Sequence, residues 1–155
     1  IQPAVSGPEA VCRGLRVLLV EDNELNRQIA SEMLKLLGVR VEMAENGREA
    51  VEAVCSHPAL YYDAVFMDVQ MPVMNGYEAT REIRGSGMER IGELPIIAMT
   101  ADAFAEDVKR ARLSGMNGHL AKPVSIELLR GALSGCLDCK RKNRWDEMMD
   151  ISGPN

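Results

Sequence analysis

The sequence predicts an α/β domain: a doubly wound, five-stranded parallel sheet in the order 2-1-3-4-5, with helices on both faces. Three observations predict it. Apolar runs of strand length alternate five times with segments whose apolar residues recur at helical spacing. Glycine, proline and asparagine punctuate the junctions. Four of the runs end in a polar group, and in a parallel sheet those ends lie side by side along one edge. Right-handed crossovers then place helices on both faces.

Each element follows from its residues. The first strand is Arg16-Val17-Leu18-Leu19-Val20, which ends in Glu21-Asp22. Leu25, Ile29, Met33 and Leu36 follow at helical spacing, with Gly38 as a stop. Val39 to Ala44 alternates apolar and charged residues and reads as a more exposed strand. Asn46 caps the next helix, with Glu49 three residues on. Ala64-Val65-Phe66-Met67 is a buried strand ending in Asp68. Pro72 cannot continue a ladder, and Asn75-Gly76 marks a turn. Asn75-Gly76-Tyr77-Glu78-Ala79 repeats Asn46-Gly47-Arg48-Glu49-Ala50 almost letter for letter, which we read as shared helix-start chemistry. Gly85 to Glu93 reads as a loop. Leu94 to Met99 is the fourth strand and ends in Thr100. Asp102 caps a helix carrying Ala105, Val108 and Ala111, which stops near Gly115. A short fifth strand around His119-Leu120-Ala121 ends in Lys122-Pro123, and Ser125 caps a last helix with Leu129, Leu133 and Leu137 on one face.

The chain has 155 residues, enough for one domain with a sizeable core. Its 46% hydrophobic and 26% charged content is that of a soluble globular protein. A net charge of −5 argues against nucleic-acid binding by bulk electrostatics. No apolar stretch approaches bilayer length, so no direct membrane contact is expected. The start Ile1-Gln2-Pro3 reads as a piece of a longer or processed chain. Residues 1–13 form a tail or linker, 14–138 the domain, and 139–155 a basic C-terminal tail that either continues the last helix or leads into another domain. Of the four cysteines, Cys136 and Cys139 have Cys-x-x-Cys spacing. One pair alone is a weak zinc signal, and Cys136 reads instead as a small core residue. Free cysteines suit a reducing, cytoplasmic setting.

The chemistry lies at the strand ends. Alone, Asp68 is equally well a turn residue or a ligand-binding acid. Together with Glu21 and Asp22 it makes a group of three carboxylates, which repel one another unless a cation sits among them. Oxygen ligands with room for waters suit Mg²⁺. Thr100 and Lys122 then offer a hydroxyl and an ammonium to a phosphoryl group.

These motifs carry a resemblance. Val20-Glu21-Asp22-Asn23, Met67-Asp68-Val69-Gln70-Met71-Pro72-Val73-Met74-Asn75-Gly76, Met99-Thr100-Ala101 and Ala121-Lys122-Pro123 resemble, in order and spacing, the signatures of receiver domains of two-component response regulators, over about residues 14 to 138. The wording of Glu78–Arg84, Thr100–Ala103 and Gly115–His119 is most similar to receivers of hybrid sensor histidine kinases. The resemblance implies the flavodoxin-like receiver fold and a phosphorelay role: Mg²⁺-dependent transfer of a phosphoryl group from phosphohistidine to Asp68, then relay or conformational signalling. It implies Mg²⁺ held by Glu21, Asp22, Asp68 and the backbone carbonyl of Gln70. Phosphoryl oxygens would meet Thr100, Lys122 and the main-chain N–H groups of Val69 and Ala101. The implied partners are a histidine kinase core or a histidine phosphotransfer domain, with weak or no homodimerisation and no turnover beyond self-phosphorylation and autodephosphorylation. Many receivers carry Tyr or Phe three residues before the lysine. Here that residue is His119, either a switch that swings inward or a static surface histidine.

Two other classes fit less well. A Mg²⁺-dependent phosphohydrolase with an aspartyl-phosphate intermediate wants a second acid two residues after the nucleophile, where this chain has Gln70. A flavin site wants a Ser/Thr/Gly-rich loop after the first strand, and Glu21-Asp22-Asn23-Glu24 has the wrong charge to cradle a phosphate. A stand-alone single-domain regulator remains the alternative to a hybrid-kinase origin.

Overall fold

A computed structural model describes residues 12–101 and 105–142, without the side chains of Ala105 and of residues 137–142. Five parallel strands, β1 (Arg16–Val20), β2 (Arg40–Ala44), β3 (Ala64–Asp68), β4 (Ile96–Thr100) and β5 (Gly118–Ala121), form one sheet in the order β2-β1-β3-β4-β5. Helices α1 (Glu24–Leu36), α2 (Gly47–Cys55), α3 (Gly76–Arg84), α4 (Ala105–Ser114) and α5 (Ile126–Lys142) make the crossovers. This is the predicted order, and its switch point sets β1 beside β3, so that Val20 pairs with Met67. The expected loop after Gly85 contains one short 3₁₀ turn, Ile91–Glu93.

Strand side chains alternate between two apolar layers. Val17, Leu19, Phe66, Ile97 and Met99 pack against Ala30 and Leu34 of α1 and Leu129 and Leu133 of α5. Leu18, Val20, Val65, Met67 and Ile96 pack against Val54, Ala79, Ile83 and Ala111 of α2, α3 and α4. Cys136 is buried in the first layer, as expected of a small core residue; Cys139 lies among the side chains not described.

Helix α1 departs from its sequence reading. It buries Ala30, Ser31 and Leu34, whereas Leu25, Ile29 and Leu36 are exposed at 65%, 45% and 76%. The helix carries two apolar stripes. Ala30 and Leu34 seat on the sheet with Met33 half-buried beside them, and Leu25, Ile29 and Leu36 are left to solvent.

The twin Asn-Gly starts differ in detail. Asn75 and Glu78 form a reciprocal capping box. Asn46 caps Glu49 in the same way, but the Glu49 carboxylate reaches back one residue further, to the Glu45 N–H at 3.0 Å. Both glycines are also needed for close approach. A Cβ on Gly76 would collide with the Asp68 carbonyl, and one on Gly47 with the Met74 carbonyl. The Asp102 cap lies outside the described residues; Ser125 caps α5 through the Leu128 N–H at 3.2 Å.

Candidate functional site

The strand ends deliver their polar groups to one cleft of about 210 Å³, lined among others by Glu21, Asp22, Asp68, Gln70, Thr100, Ala101 and Lys122. Asp68 closes β3 and is buried at 4% exposure, because the carboxyl edge of the central strand is walled by its neighbours. Glu21 is buried too, and Asp22 is exposed. Oxygen atoms of the three carboxylates lie within 4.8 Å of one another. Lys122, on the loop after β5, bridges the two buried ones: Nζ is 2.9 Å from Glu21 Oε2 and 3.1 Å from Asp68 Oδ1.

The loop after β1 is held from several sides. The Asn23 side chain caps α1 by accepting from the Asn26 N–H at 2.9 Å, while its own N–H donates to Glu21 Oε1 at 3.1 Å. Arg27 Nη1 donates to the Glu21 carbonyl at 2.8 Å. Sequence reading missed Asn23 and Arg27 as positioning residues. The signal available was an N-capping Asn directly after the acid pair.

Burial and the neighbouring Glu21 charge push the Asp68 carboxyl up to about 7, against the pull of the Lys122 ammonium. Burial alone would lower Lys122, yet its two carboxylate partners outweigh that and hold it above its usual range. The cluster therefore holds two buried carboxylates against one cation, a charge arrangement suited to a divalent ion.

The Val69 N–H donates to the Met99 carbonyl at 3.1 Å and extends the β3–β4 ladder. His119, for which a surface position was one expectation, is 3% exposed. It pairs with Ala98 in register and shares that face of the sheet with Thr100. Burial lowers its pKa below the usual imidazole range. A further residue escaped sequence reading. Arg84 at the end of α3 donates to the carbonyls of Gly115 and Ile91 at 3.0 and 2.6 Å, and to Asn117 Oδ1 at 2.8 Å. It ties α3 to the turn between α4 and β5.

A profile of the response regulator receiver domain matches residues 17–134. The chain belongs to the response regulator receiver family. Among relatives of this receiver, the peroxide stress-activated histidine kinase mak1 of Schizosaccharomyces pombe is 35% identical over 84% of this chain and 8% of its own length. The two-component response regulator ORR41 of Oryza sativa subsp. japonica is 46% identical over 74% of this chain and 88% of its own length. The chain spans only a small part of the kinases it matches. In structure the receiver superposes on the receiver domain of the sensor histidine kinase PA1611 from Pseudomonas aeruginosa PAO1, solved with magnesium in its active-site cleft. The TM-score is 0.72 at 40% identity, covering 81% of this chain and 98% of that one. It also superposes on the receiver of the Saccharomyces cerevisiae response regulator Ssk1, solved with the histidine phosphotransfer protein Ypd1, at TM-score 0.72 and 32% identity over 81% of this chain and 90% of that one. The chain is thus a receiver module of two-component, phosphorelay-type signalling.

Proposed function

We propose that Asp68 is the phosphoacceptor of this receiver and that its donor is a phosphohistidine on a histidine phosphotransfer domain or a kinase core. The observation that carries this reading is the carboxylate buried at the end of β3, coupled to Glu21 and held by Lys122 in an open cleft. An ionised Asp68 oxygen attacks phosphorus. A P–O bond forms as the P–N bond breaks, and the imidazole leaves with the bonding electrons. Such a transfer asks of the protein mainly positioning and charge neutralisation.

The residues fit Mg²⁺. Glu21, Asp22 and Asp68 give oxygen donors within reach of one another, and Gln70 brings its carbonyl to the same cleft. Burial first and the neighbouring Glu21 charge second raise the Asp68 pKa, and a divalent cation would favour the ionised form against both. Bound there, Mg²⁺ would neutralise charge gathering on the phosphoryl oxygens. The Lys122 ammonium, the Thr100 hydroxyl and the Ala101 N–H are the donors this chain turns toward the same oxygens.

The partner reading rests on α1. Its outward stripe borders an apolar groove of about 290 Å³ formed by Ile29, Ala30, Pro123 and Val124, which shares Glu21 and Lys122 with the cleft. A domain bringing its histidine to Asp68 covers that groove. The wider reading is a cytoplasmic receiver of a hybrid histidine kinase, supported by the motif wording and by kinase relatives. After transfer, Thr100 and Lys122 are drawn toward the phosphoryl group, which biases the α4–β5–α5 surface with His119 on the route.

Acetyl phosphate with Mg²⁺ should add one phosphoryl group by intact mass, and none to Asp68→Asn. Equal labelling of that variant would place the nucleophile elsewhere.

A further inference from the structure

A second groove, of about 520 Å³, opens beside the Asp68 cleft, with walls from the start of α3 and the first half of α4. The two share Val69, Gln70 and Thr100, so a molecule that delivers its phosphoryl group to Asp68 past Thr100 has this groove next to it. Tyr77 and Arg110 build the groove's far wall. Tyr77 is 4% exposed, and the Arg110 guanidinium lies 4.5 Å from its ring centroid. A tyrosine buried this deeply ordinarily finds a protein partner for its hydroxyl. This hydroxyl makes no hydrogen bond among the described residues, yet it is not sealed from solvent, so the groove is what it meets. Burial and the Asp107 carboxylate hold the phenol above its usual pKa against the pull of Arg110, so at neutral pH it is a donor.

The charges narrow the occupant. The Asp68 cleft gathers three carboxylates, and its one cation, Lys122, is already held by Glu21 and Asp68. Arg110 makes no ion pair among the described residues. Asp107 faces the same phenol, which leaves the groove near neutral and far less acidic than the cleft. A leaving group is therefore better placed in the groove than among the acids. In transfer from an acyl phosphate, a bond forms between an Asp68 oxygen and phosphorus as the acyl O–P bond breaks. The carboxylate leaves with the electron pair. Negative charge thus builds on an oxygen, and a hydroxyl donor with an unpaired guanidinium is the set that stabilises it. An amine leaving group departs neutral and draws nothing from either.

We infer that Tyr77 and Arg110 form a leaving-group subsite for acyl phosphates, which makes the receiver selective for them among small donors. Tyr77 donates to the acyl oxygen, and Arg110 neutralises the carboxylate as it forms. The inference rests on the reading of Asp68 as the phosphoacceptor.

The test compares labelling rates, by intact mass at subsaturating donor and equal Mg²⁺, with acetyl phosphate and with phosphoramidate. The proteins are wild type, Tyr77→Phe, Arg110→Gln and Lys109→Gln. With acetyl phosphate the rate should fall about fivefold in Tyr77→Phe and about tenfold in Arg110→Gln. With phosphoramidate both should stay within about twofold of wild type, which also shows that they are folded. Lys109→Gln removes an exposed charge from the same helix outside the groove and should match wild type with both donors. An unchanged acetyl phosphate rate in either groove variant, equal slowing with both donors, or the same loss in Lys109→Gln would overturn the inference while leaving Asp68 as acceptor. So would a wild type labelled by phosphoramidate and not by acetyl phosphate. A wild type labelled by neither donor would instead overturn the function proposed for Asp68.

Discussion

Asp68 and Glu42 are both carboxylates with close polar partners, and the fold treats them in opposite ways. Asp68 is buried beside a second acid, shares one ammonium with it, and is pushed up to about 7. Glu42, on edge strand β2, is half-buried and well supplied. It accepts from the Tyr61 and Tyr62 hydroxyls at 2.8 Å each and faces Arg16 at 3.9 Å. The Tyr61 ring is stacked on His57 at 3.8 Å and lies 4.0 Å from the Arg16 guanidinium. Burial raises Glu42, but the two phenols, His57 and Arg16 outweigh it and hold it below its usual range. Every partner Glu42 needs is inside the protein, and the result is structural. Asp68 lacks enough cation, and the deficit is what a metal ion and a phosphoryl group would answer.

Three experiments break or sharpen that contrast. The largest effect is expected from Lys122→Ala, which leaves two buried carboxylates without their shared cation. Metal-free protein should lose about 2–3 kcal/mol at pH 8, below the usual range for a broken buried pair because Lys122 is partly exposed. The loss should shrink at pH 5, where Asp68 takes up a proton. Urea melts at both values test it, and an equal loss at both would mean the cluster is not charge-coupled. Glu42→Ala comes next, at about 1–2 kcal/mol, since two phenols lose their acceptor. Because the folded-state pKa of Glu42 is depressed, its contribution is present above its ordinary 4.5 and is lost as pH falls through the lowered value. The two melting curves should therefore converge in acid, and acetyl phosphate labelling should not change. The smallest effect is a gain. The pKa of Asp68 is raised on folding, so its contribution is present below its ordinary 3.8 and is lost as pH rises through about 7. Metal-free Asp68→Asn should escape that loss and melt at the same temperature as wild type or slightly higher at pH 8. A clear drop for Asp68→Asn would show that the carboxylate stabilises the fold after all.

Much of this molecule was legible because its signals are local. Strand ends in Glu21-Asp22, Asp68, Thr100 and Lys122 follow from where apolar runs stop, and one rule of parallel sheets gathers them. What was illegible depends on neighbours distant in sequence. The Val69 N–H is claimed by Met99, thirty positions on, through a ladder register that no local pattern states. Arg84 finds carbonyl partners on two other segments. Of the apolar residues whose spacing located α1, Leu25, Ile29 and Leu36 are exposed and Met33 packs on the core, because periodicity gives a helix its faces but not its orientation.

The sequence by itself determined the order and type of the elements, the capping chemistry of Asn46 and Asn75, and the set of groups at one edge of the sheet. These are matters of side-chain type at fixed spacing, and they act within a few residues. Only the tertiary structure decided which carboxylates are buried, that Lys122 bridges Glu21 and Asp68, that His119 faces inward and that Arg110 lies over the Tyr77 ring. Burial and charge coupling depend on what lies within a few ångströms in space, and packing, not local sequence, brings those groups together.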